Sequence, residues 1–279
     1  MRYKILADSS CDVDDRMKGE LEITLVPLTI DVDGTRYVDD GELDVASYIR
    51  IMNASSNNPK SACPSPEDYL KEIPEDAEGT FIITLSSALS GSFNSAMLAR
   101  NLYLEGNPEK KVHVFDSRSA ASGEVLAALW TAECIRQGMG FEEIVDVVEE
   151  RIRNMTVVFV LERLDHLEKA GRLSTLKAAI ANVLNIKLIL HATREGTIDL
   201  LGKARGTGKA LGKMVETIGG KGEDLSGKTL VIAHCAARDR AEQVKGMVEA
   251  RYGFKEILIV PTRGLSSTYA NEGGVILAY

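Results

Sequence analysis

The sequence predicts an α/β protein of two domains, the first built on a parallel sheet and the second on a mixed sheet. The chain has 279 residues, which is longer than most single domains. In its first half, short β-forming runs alternate with helical patterns, as in a parallel sheet. After residue 150 two β-runs are separated only by a short turn, which indicates an antiparallel pair. We therefore predict domains at 1–150 and 151–279.

The first domain is predicted to contain strands separated by helices. The strand runs are YKILA at 3–7, LEITLVPLTI at 21–30, FIITL at 81–85 and VHVFD at 112–116. Ser65, followed by Pro66, and Ser122 are predicted to cap helices. The segment 141–154 has its apolar residues on one helical face, and the polar segment 54–66 is predicted to be a loop.

The second domain starts with the run TVVFVLERL. Its predicted antiparallel pair is NIKLILHA with GTIDLLG, joined by the turn TREG. A helix near 207–218, the strand LVIAHC, a helix near 238–252 and the strand ILIV follow. The alanine-rich segments 119–130 and 176–184 have small side chains, which suit either close helix packing or a narrow apolar tunnel.

Composition excludes several classes of function. A net charge of −8 and a pI near 5.2 disfavour binding to nucleic acid or to anionic membranes. The sequence shows neither a signal peptide nor a membrane span, so we expect a cytoplasmic protein. The four cysteines and four histidines lack metal-binding spacing, and we expect free thiols, no metal and no cofactor.

Serine-rich segments follow three of the predicted strands. They place Ser9, Ser90, Ser117 and Ser119 near the carboxyl ends of the strands, where open α/β sheets bind ligands. Hydroxyls and the N–H groups of helix N-termini favour a carboxylate or a phosphate. For each single serine, a helix cap is the simpler interpretation. Because several converge on one edge, we favour an anion site.

Enzymatic interpretations have less support. A serine nucleophile needs a nearby base, and neither a histidine close in sequence nor a GxSxG elbow is present, although residues distant in sequence can form a triad. The segment GKARGTGK at 202–209 has the wrong spacing for a phosphate-binding loop, and Ala210 stands where Ser or Thr should follow the lysine. The first strand is not followed by GxGxxG, so dinucleotide binding is not supported.

Seven segments, in order along the chain, resemble the DegV family of fatty-acid-binding proteins. They are ILADSSCDV, SACPSPEDY, TLSSALSGSFNSA, VFDSRSAASG, LERLDHLEKAGRLS, GKARGTGKAL and the glycine-containing C-terminal tail. Members of this family serve as the acyl-presenting subunit of bacterial fatty acid kinase. The resemblance implies a two-domain DegV-like fold, a fatty acid between the domains with its tail in an apolar tunnel, and no catalysis by this chain.

The resemblance also implies the site residues. The family hydroxyl of the T-x-x-P-S loop falls on Ser61, and the LSG motif falls on Ser90 and Gly91. The family arginine near the carboxylate is Arg172, and the arginine implicated in kinase docking is Arg205. Where most members have a tail histidine, this chain has Tyr269, which can donate one hydrogen bond but carries no positive charge.

The resulting hypothesis is that the protein binds a long-chain fatty acid and presents its carboxylate to a separate ATP-dependent kinase, which forms an acyl phosphate for lipid synthesis. Two alternatives remain open. Tyr269 makes a lipid-binding sensor without a kinase partner credible. A hydrolase or transferase acting on a small anion would use the same serine-rich edge.

Overall fold

The computed structural model describes residues 3–173, 185–219 and 223–279. The alanine-rich segment 176–184 lies outside the described residues. The strands of the first half are β1 (Tyr3–Asp8), β2 (Ile23–Val26), β3 (Thr29–Val32), β4 (Thr35–Val38), β5 (Lys60–Ala62), β6 (Gly79–Thr84) and β7 (Lys111–Asp116). Its helices are α1 (Asp15–Leu21), α2 (Val45–Ala54), α3 (Pro66–Glu72), α4 (Ser92–Gly106), α5 (Ser122–Arg136) and α6 (Phe141–Asn154).

The second half contributes the remaining described elements. These are β8 (Val157–Val160), α7 (Asp165–Lys169), β9 (Ile186–Ala192), β10 (Ile198–Arg205), α8 (Thr207–Glu216), β11 (Thr229–His234), α9 (Arg238–Glu249), β12 (Glu256–Pro261), α10 (Gly264–Ala270) and β13 (Val275–Ala278). None of the helices in these described stretches is long and apolar enough to cross a membrane.

The predicted parallel sheet is present, with strand order β2-β1-β6-β7 and parallel pairing throughout. Its apolar residues on one face pack with α3 and α4, and those on the other face pack with α5. Helices on both faces explain why β6 is buried along its whole length. The α/β/α layering of the N-terminal half is therefore confirmed.

The sequence suggested one strand over residues 21–30, but the structure has two. Pro27 and Leu28 separate β2, which joins the parallel sheet, from β3, which lies in a small antiparallel sheet of order β4-β3-β5. Proline lacks the N–H that a continuing central strand would donate. Strand β5 lies inside the segment 54–66, which was predicted to be a loop, and it carries Ser61.

The second sheet is mixed, as predicted, with strand order β10-β9-β8-β13-β11-β12. The β9–β10 pair is antiparallel, which confirms the hairpin, and β11 and β12 are parallel. The strand β13, which the sequence did not reveal, lies between β8 and β11. Two sheets are thus present, but the domain limits 1–150 and 151–279 stay a prediction, since one hydrophobic cluster runs across both halves.

Strand β8 of the mixed sheet is buried on both faces. Along β8, Val157 and Phe159 pack toward the N-terminal half, whereas Val158 and Val160 pack toward α8 and α9. This alternation follows from the two-residue period of a strand. The face that includes Phe159, hereafter the inner face, therefore lies opposite the carboxyl edge of the parallel sheet.

Two helix starts test the capping predictions. Ser65 caps α3, accepting from the Asp68 N–H, and the Asp68 carboxylate accepts from the Ser65 N–H in return. Ser122 was predicted as a cap, but it is the first residue of α5 and Ala121 precedes it with φ of 55°. The fully buried Ser122 hydroxyl has no partner among the described residues. Helix α6 spans the predicted residues 141–154.

Candidate ligand-binding site

A cavity lies between the carboxyl edge of the parallel sheet and the inner face of the mixed sheet. It encloses about 910 Å³ of space free of atoms, including the part open to solvent. On one side it is lined by the loops that follow β1, β6 and β7, where the sequence placed the hydroxyl-rich edge. The predicted location at strand carboxyl ends thus coincides with this cavity.

The opposite wall of the cavity is apolar. Six of its residues come from the inner face or directly follow it: Val157, Phe159, Leu161, Ala192, Ile198 and Ile276. Strand register explains their proximity, because Ile276 pairs with Phe159 and Ile198 pairs with Ala192. Alternation therefore gives one sheet two apolar faces, of which one forms a core and the other lines a cavity.

Ser61 and Tyr269 meet at the cavity. Ser61 lies on β5 and Tyr269 on α10, and their hydroxyl oxygens are 2.7 Å apart. Each hydroxyl carries one proton, so when one donates to the other, the acceptor keeps its own proton for a ligand. Tyr269 is thus hydrogen-bonded to Ser61, the serine predicted to bind a carboxylate.

Ser90 lines the same cavity just before α4. Its hydroxyl oxygen accepts from the Ser92 N–H at 3.2 Å and lies 3.3 Å from the Ser92 hydroxyl oxygen. Gly91, the residue that precedes α4, is exposed and does not line the cavity. A β-carbon at Gly91 would lie 3.2 Å from the Cys63 sulfur, so a side chain there would require a small shift of Cys63. Ser90 is therefore both a helix-start residue and a cavity residue.

Arg172 also lines the cavity and is tied to the loop that carries Ser90. Its Nε donates to the Leu89 carbonyl at 3.0 Å, and its Nη1 donates to the Ala170 carbonyl. These bonds hold the guanidinium next to the head of α4. Ser61, Ser90, Arg172 and Tyr269 come from distant parts of the sequence, and the fold brings all of them to one cavity.

The other predicted edge serines differ in position. Ser119 lines the cavity, whereas Ser9 and Ser117 do not. The Ser9 hydroxyl oxygen accepts from the Leu28 N–H at 3.0 Å, and the Ser117 hydroxyl donates to the Ser119 carbonyl at 3.2 Å. Both of these buried hydroxyls therefore hold loops in place.

Sequence reasoning missed other cavity residues: Ser10, Arg118 and Ser266. Ser10 follows Ser9 directly, and only the local backbone decides which of the two faces the cavity. Ser266 precedes Tyr269 by less than one helical turn of α10, which puts both on one face. Arg118 sits beside the predicted Ser117 and Ser119 and has φ of 51°. The described lining thus holds the cations Arg118 and Arg172 and no carboxylate.

Two acids are buried behind this edge. Asp8 accepts from the Ser10 N–H at 3.0 Å and from the Leu85 N–H at 2.9 Å. Burial raises the pKa of Asp8 to about 6, although those N–H bonds oppose the rise. Burial, and then the neighbouring Asp8 charge, raise the pKa of Glu124 well above its usual value. Asp8 therefore holds the loops after β1 and β6 together, whereas both carboxylate oxygens of the buried Glu124 lack a hydrogen-bond partner among the described residues.

Arg205 lies elsewhere. It is the last residue of β10, it is exposed, and it is not part of the cavity lining. Residues 202–205 belong to the strand and α8 begins at Thr207, so the segment resembling a phosphate loop is a strand-to-helix connection.

The cysteines and the side chains able to ligate a metal add no site in the part of the chain that the structure describes. The four cysteines are free thiols, as predicted. In the described parts of the chain, no group of three or more His, Cys, Asp or Glu residues is arranged to hold a metal ion.

The fold and the cavity together define an α/β binding protein whose site combines an apolar wall with hydroxyl and guanidinium donors. A family model described as "Uncharacterised protein, DegV family" matches residues 2–279, and the chain belongs to this family. A DegV domain-containing protein of Streptococcus pneumoniae is 38% identical over 281 residues, covering 100% of this chain and 99% of its own length.

Solved structures agree with this assignment. A DegV family protein of Ruminococcus gnavus, refined with vaccenic acid, has 42% identity and a TM-score of 0.96, with 100% of both chains covered. The fatty acid kinase B3 protein of Streptococcus pneumoniae, loaded with linoleic acid, has 37% identity and a TM-score of 0.91, covering 100% of this chain and 99% of that one. Members of the family are fatty-acid-binding proteins.

Proposed function

We propose that this protein binds a long-chain fatty acid in the cavity, with its tail on the inner face and its carboxylate near Ser61, Ser90, Arg172 and Tyr269. The observation that carries this proposal is the composition of this cavity: apolar strands form one wall, and hydroxyls and the guanidinium groups of Arg118 and Arg172 lie on the other. Such an arrangement suits an amphiphilic anion. The fatty acids in the two similar structures support it.

The tail supplies most of the binding free energy. Each methylene removed from water contributes about 0.8 kcal/mol, so a chain of about 14 methylenes contributes about 11 kcal/mol before the costs of ordering. The inner face can contact such a tail along β8 and β13, where Phe159 and Ile276 are adjacent. A few donors then suffice to orient the carboxylate.

The head group receives its donors from the two halves of the chain. Ser61 and Ser90 belong to the first half, and Arg172 and Tyr269 to the second. Arg172 supplies a positive charge and Tyr269 only a hydrogen bond, so the charge-assisted contact is assigned to Arg172. Gly91 supports the site by allowing the tight approach of Cys63 to the start of α4.

The second part of the proposal is that a separate ATP-dependent fatty acid kinase phosphorylates the bound carboxylate. The similarity to the Streptococcus pneumoniae fatty acid kinase B3 protein supports it. Arg205 is exposed and outside the cavity, so it is free to contact a kinase while the cavity is loaded. The chain itself positions and shields the acyl group, and the kinase supplies the chemistry in the cytoplasm, where ATP is available.

Mass spectrometry of the purified protein, native and then denatured with solvent extraction, tests the first part. We expect one fatty acid per chain. A protein that is empty and takes up neither added oleate nor palmitate contradicts fatty-acid binding. Turnover of ester or phosphate substrates by the isolated protein would then favour the enzymatic alternative.

Phosphorylation by a fatty acid kinase catalytic subunit tests the second part. We expect ATP-dependent formation of acyl phosphate from the loaded protein, and a lower rate for Arg205→Ala with unchanged lipid content. Lys209→Ala, which changes another exposed cation on the adjacent helix, is the matched control. If the loaded protein binds no kinase in a pull-down from its host and its bound fatty acid is not phosphorylated, the lipid-sensor alternative is favoured.

A further inference from the structure

Glu162, in the connection between β8 and α7, is the centre of a hydrogen-bonded network outside the cavity lining. One oxygen of its carboxylate, Oε1, accepts from Arg240 Nη1 at 2.5 Å and from the Thr207 hydroxyl at 2.7 Å. The other oxygen, Oε2, is ion-paired with the Lys187 ammonium, which also donates to the Glu162 carbonyl at 3.0 Å. These four residues, hereafter the Glu162 network, thus join β9, the start of α8 and the first turn of α9.

The Glu162 carboxylate is ionised near neutral pH. Its side chain is only 22% exposed, and burial alone would raise its pKa. The hydrogen bonds from Lys187 and Thr207, with the charges of Lys187 and Arg240, outweigh burial and hold the pKa below its ordinary value. Hydrogen bonds to a charged group are roughly twice as strong as neutral ones. The network is therefore a rigid point of the second half of the chain.

Two contacts of the network flank Arg205. Lys187 lies on β9 and pairs with Ala204, the residue before Arg205, across the β9–β10 hairpin. Thr207 begins α8 and follows Arg205 by two residues. Both of these flanking residues are bound to the same carboxylate. Glu162 therefore fixes the backbone on both sides of Arg205.

The same carboxylate is connected to the C-terminal tail. Arg240 Nη1 donates to the Gly273 carbonyl at 2.8 Å as well as to Glu162. Gly273, four residues after Tyr269, has φ of +93°, and a β-carbon there would lie 2.5 Å from Arg240 Nη1 and 2.7 Å from Glu162 Cγ. Both the backbone conformation and the short space require glycine at this point. One carboxylate and one guanidinium thus connect the Arg205 surface to the tail that follows Tyr269.

We propose that Glu162 is a positioning residue that fixes the Arg205 surface relative to the Tyr269 end of the cavity, so that a kinase docked on Arg205 meets the fatty-acid carboxylate in a constant geometry. The inference rests on the proposed presentation of the fatty acid to a kinase. Such positioning matters because a misplacement of about 1 Å can lower a rate by about a hundredfold. Glu162 is not part of the cavity lining, so it acts through Arg205 and not on the fatty acid.

The test measures kcat/KM for ATP-dependent acyl phosphate formation by a fatty acid kinase catalytic subunit, with the oleate-loaded full-length protein as substrate. Thr207→Val removes one hydroxyl from the network and keeps the shape of the side chain, so it should lower kcat/KM about fivefold. Thr207→Ser keeps the hydroxyl and should retain the wild-type value. Glu162→Ala removes the centre of the network and should lower kcat/KM further. Oleate affinity should be unchanged in all three variants, because neither residue lines the cavity.

A double-mutant cycle shows whether the network acts through Arg205. Once Arg205→Ala has removed the docking cation, Thr207→Val and Glu162→Ala should lower kcat/KM by less than about twofold more, because the side chain that they position is gone. Two controls match the changes. Glu133→Ala removes another ion-paired acid, on α5, and Thr217→Val removes a hydroxyl bonded at the far end of α8. Both controls should retain the wild-type kcat/KM.

The outcomes separate the positioning role from the proposals on which it rests. A wild-type protein that binds oleate but is not phosphorylated overturns presentation to a kinase, and the positioning role with it. Wild-type kcat/KM in Arg205→Ala overturns docking at Arg205 in the same way. If Arg205→Ala lowers kcat/KM but the folded network variants do not, or lower it by the same factor with and without Arg205, the positioning role is overturned and docking stands. Should Glu162→Ala not fold by circular dichroism, Thr207→Val and Thr207→Ser still decide the question.

Discussion

The carboxyl edge of the parallel sheet and the inner face of the mixed sheet are both buried, but for different physical reasons. Asp8 at the edge and Asp39 in the adjoining loop after β4 are fully buried, and each accepts backbone N–H bonds. On the inner face, Phe159 and Ile276 are buried through apolar contact. A buried polar group depends on specific partners, whereas an apolar one depends on volume. Substitutions of the buried acids should therefore lower the free energy of unfolding strongly. Substitutions on the inner face should lower it in proportion to the volume removed.

The largest effect is expected for Asp39→Ala. The Asp39 carboxylate accepts from the Gly264 and Leu265 N–H groups, both at 2.8 Å, and so ties the first half of the chain to α10. Removing the carboxylate leaves these two buried N–H donors without an acceptor. Each should lower the free energy of unfolding by about 2 kcal/mol, for a total of about 4 kcal/mol. Urea unfolding measures the loss. Asp40→Ala, at the half-buried neighbouring residue, should cost less than about 1 kcal/mol, and equal losses would contradict the assignment.

Asp8→Asn tests the acid behind the edge. Its pKa in the folded protein is about 6 against an ordinary 3.8, so its protonated form is favoured on folding. The stability from this group is complete below pH 3.8 and is lost as pH rises through 6, a difference of about 3 kcal/mol. The asparagine variant does not titrate, so its stability relative to wild type should improve by about 2 kcal/mol, most of that amount, from pH 4 to pH 7. Urea unfolding across this range that shows a constant difference would refute the prediction.

Neighbouring residues on β13 sharpen the contrast between core and cavity. Leu277 is fully buried in the cluster with α8 and α9, whereas Ile276 lines the cavity. Leu277→Ala should cost about 3 kcal/mol, and Ile276→Ala about 1 kcal/mol in the lipid-free protein, because one side of Ile276 already faces space. Thermal or urea unfolding checks this. Fatty-acid affinity should respond in the opposite order, and equal effects of the two variants on both measurements would contradict the orientation.

The smallest effect is expected for Ser90→Ala. The loss of one hydroxyl donor should weaken fatty-acid binding by about 1 kcal/mol, or about fivefold. Titration with a fatty acid and with the fatty alcohol of the same length checks this, since only the acid should be affected. A folded variant that retains wild-type affinity for the acid would show that Ser90 does not hold the carboxylate.

Local patterns in the sequence determined most of the elements. The alternating runs identified β1, β6, β7 and the β9–β10 pair, and the one-sided apolar pattern identified α6. Ser65 was found because its cap depends only on residues within one turn. The prediction of one strand over residues 21–30 was wrong. The apolar pattern continues through Pro27, but the chain passes there from the parallel sheet to the small antiparallel sheet.

The candidate site was only partly accessible from sequence. Hydroxyls near strand ends led to Ser90 and Ser119, and the family resemblance led to Ser61, Arg172 and Tyr269, all of which line the cavity. Sequence could not distinguish Ser9 from Ser10, because the two are adjacent and either can turn inward. No sequence pattern indicated that Glu124 is buried, because its burial depends on the packing of α5 against the sheet.

The sequence by itself determined the alternation of β1, β6 and β7 with helices, the β9–β10 hairpin and the presence of donors near strand ends, because each is set by residues close together along the chain. Only the tertiary structure decided that Ser61 meets Tyr269 and that Gly196 meets Ser86. Those contacts span 208 and 110 residues. They depend on how two sheets pack against each other, which no local pattern encodes.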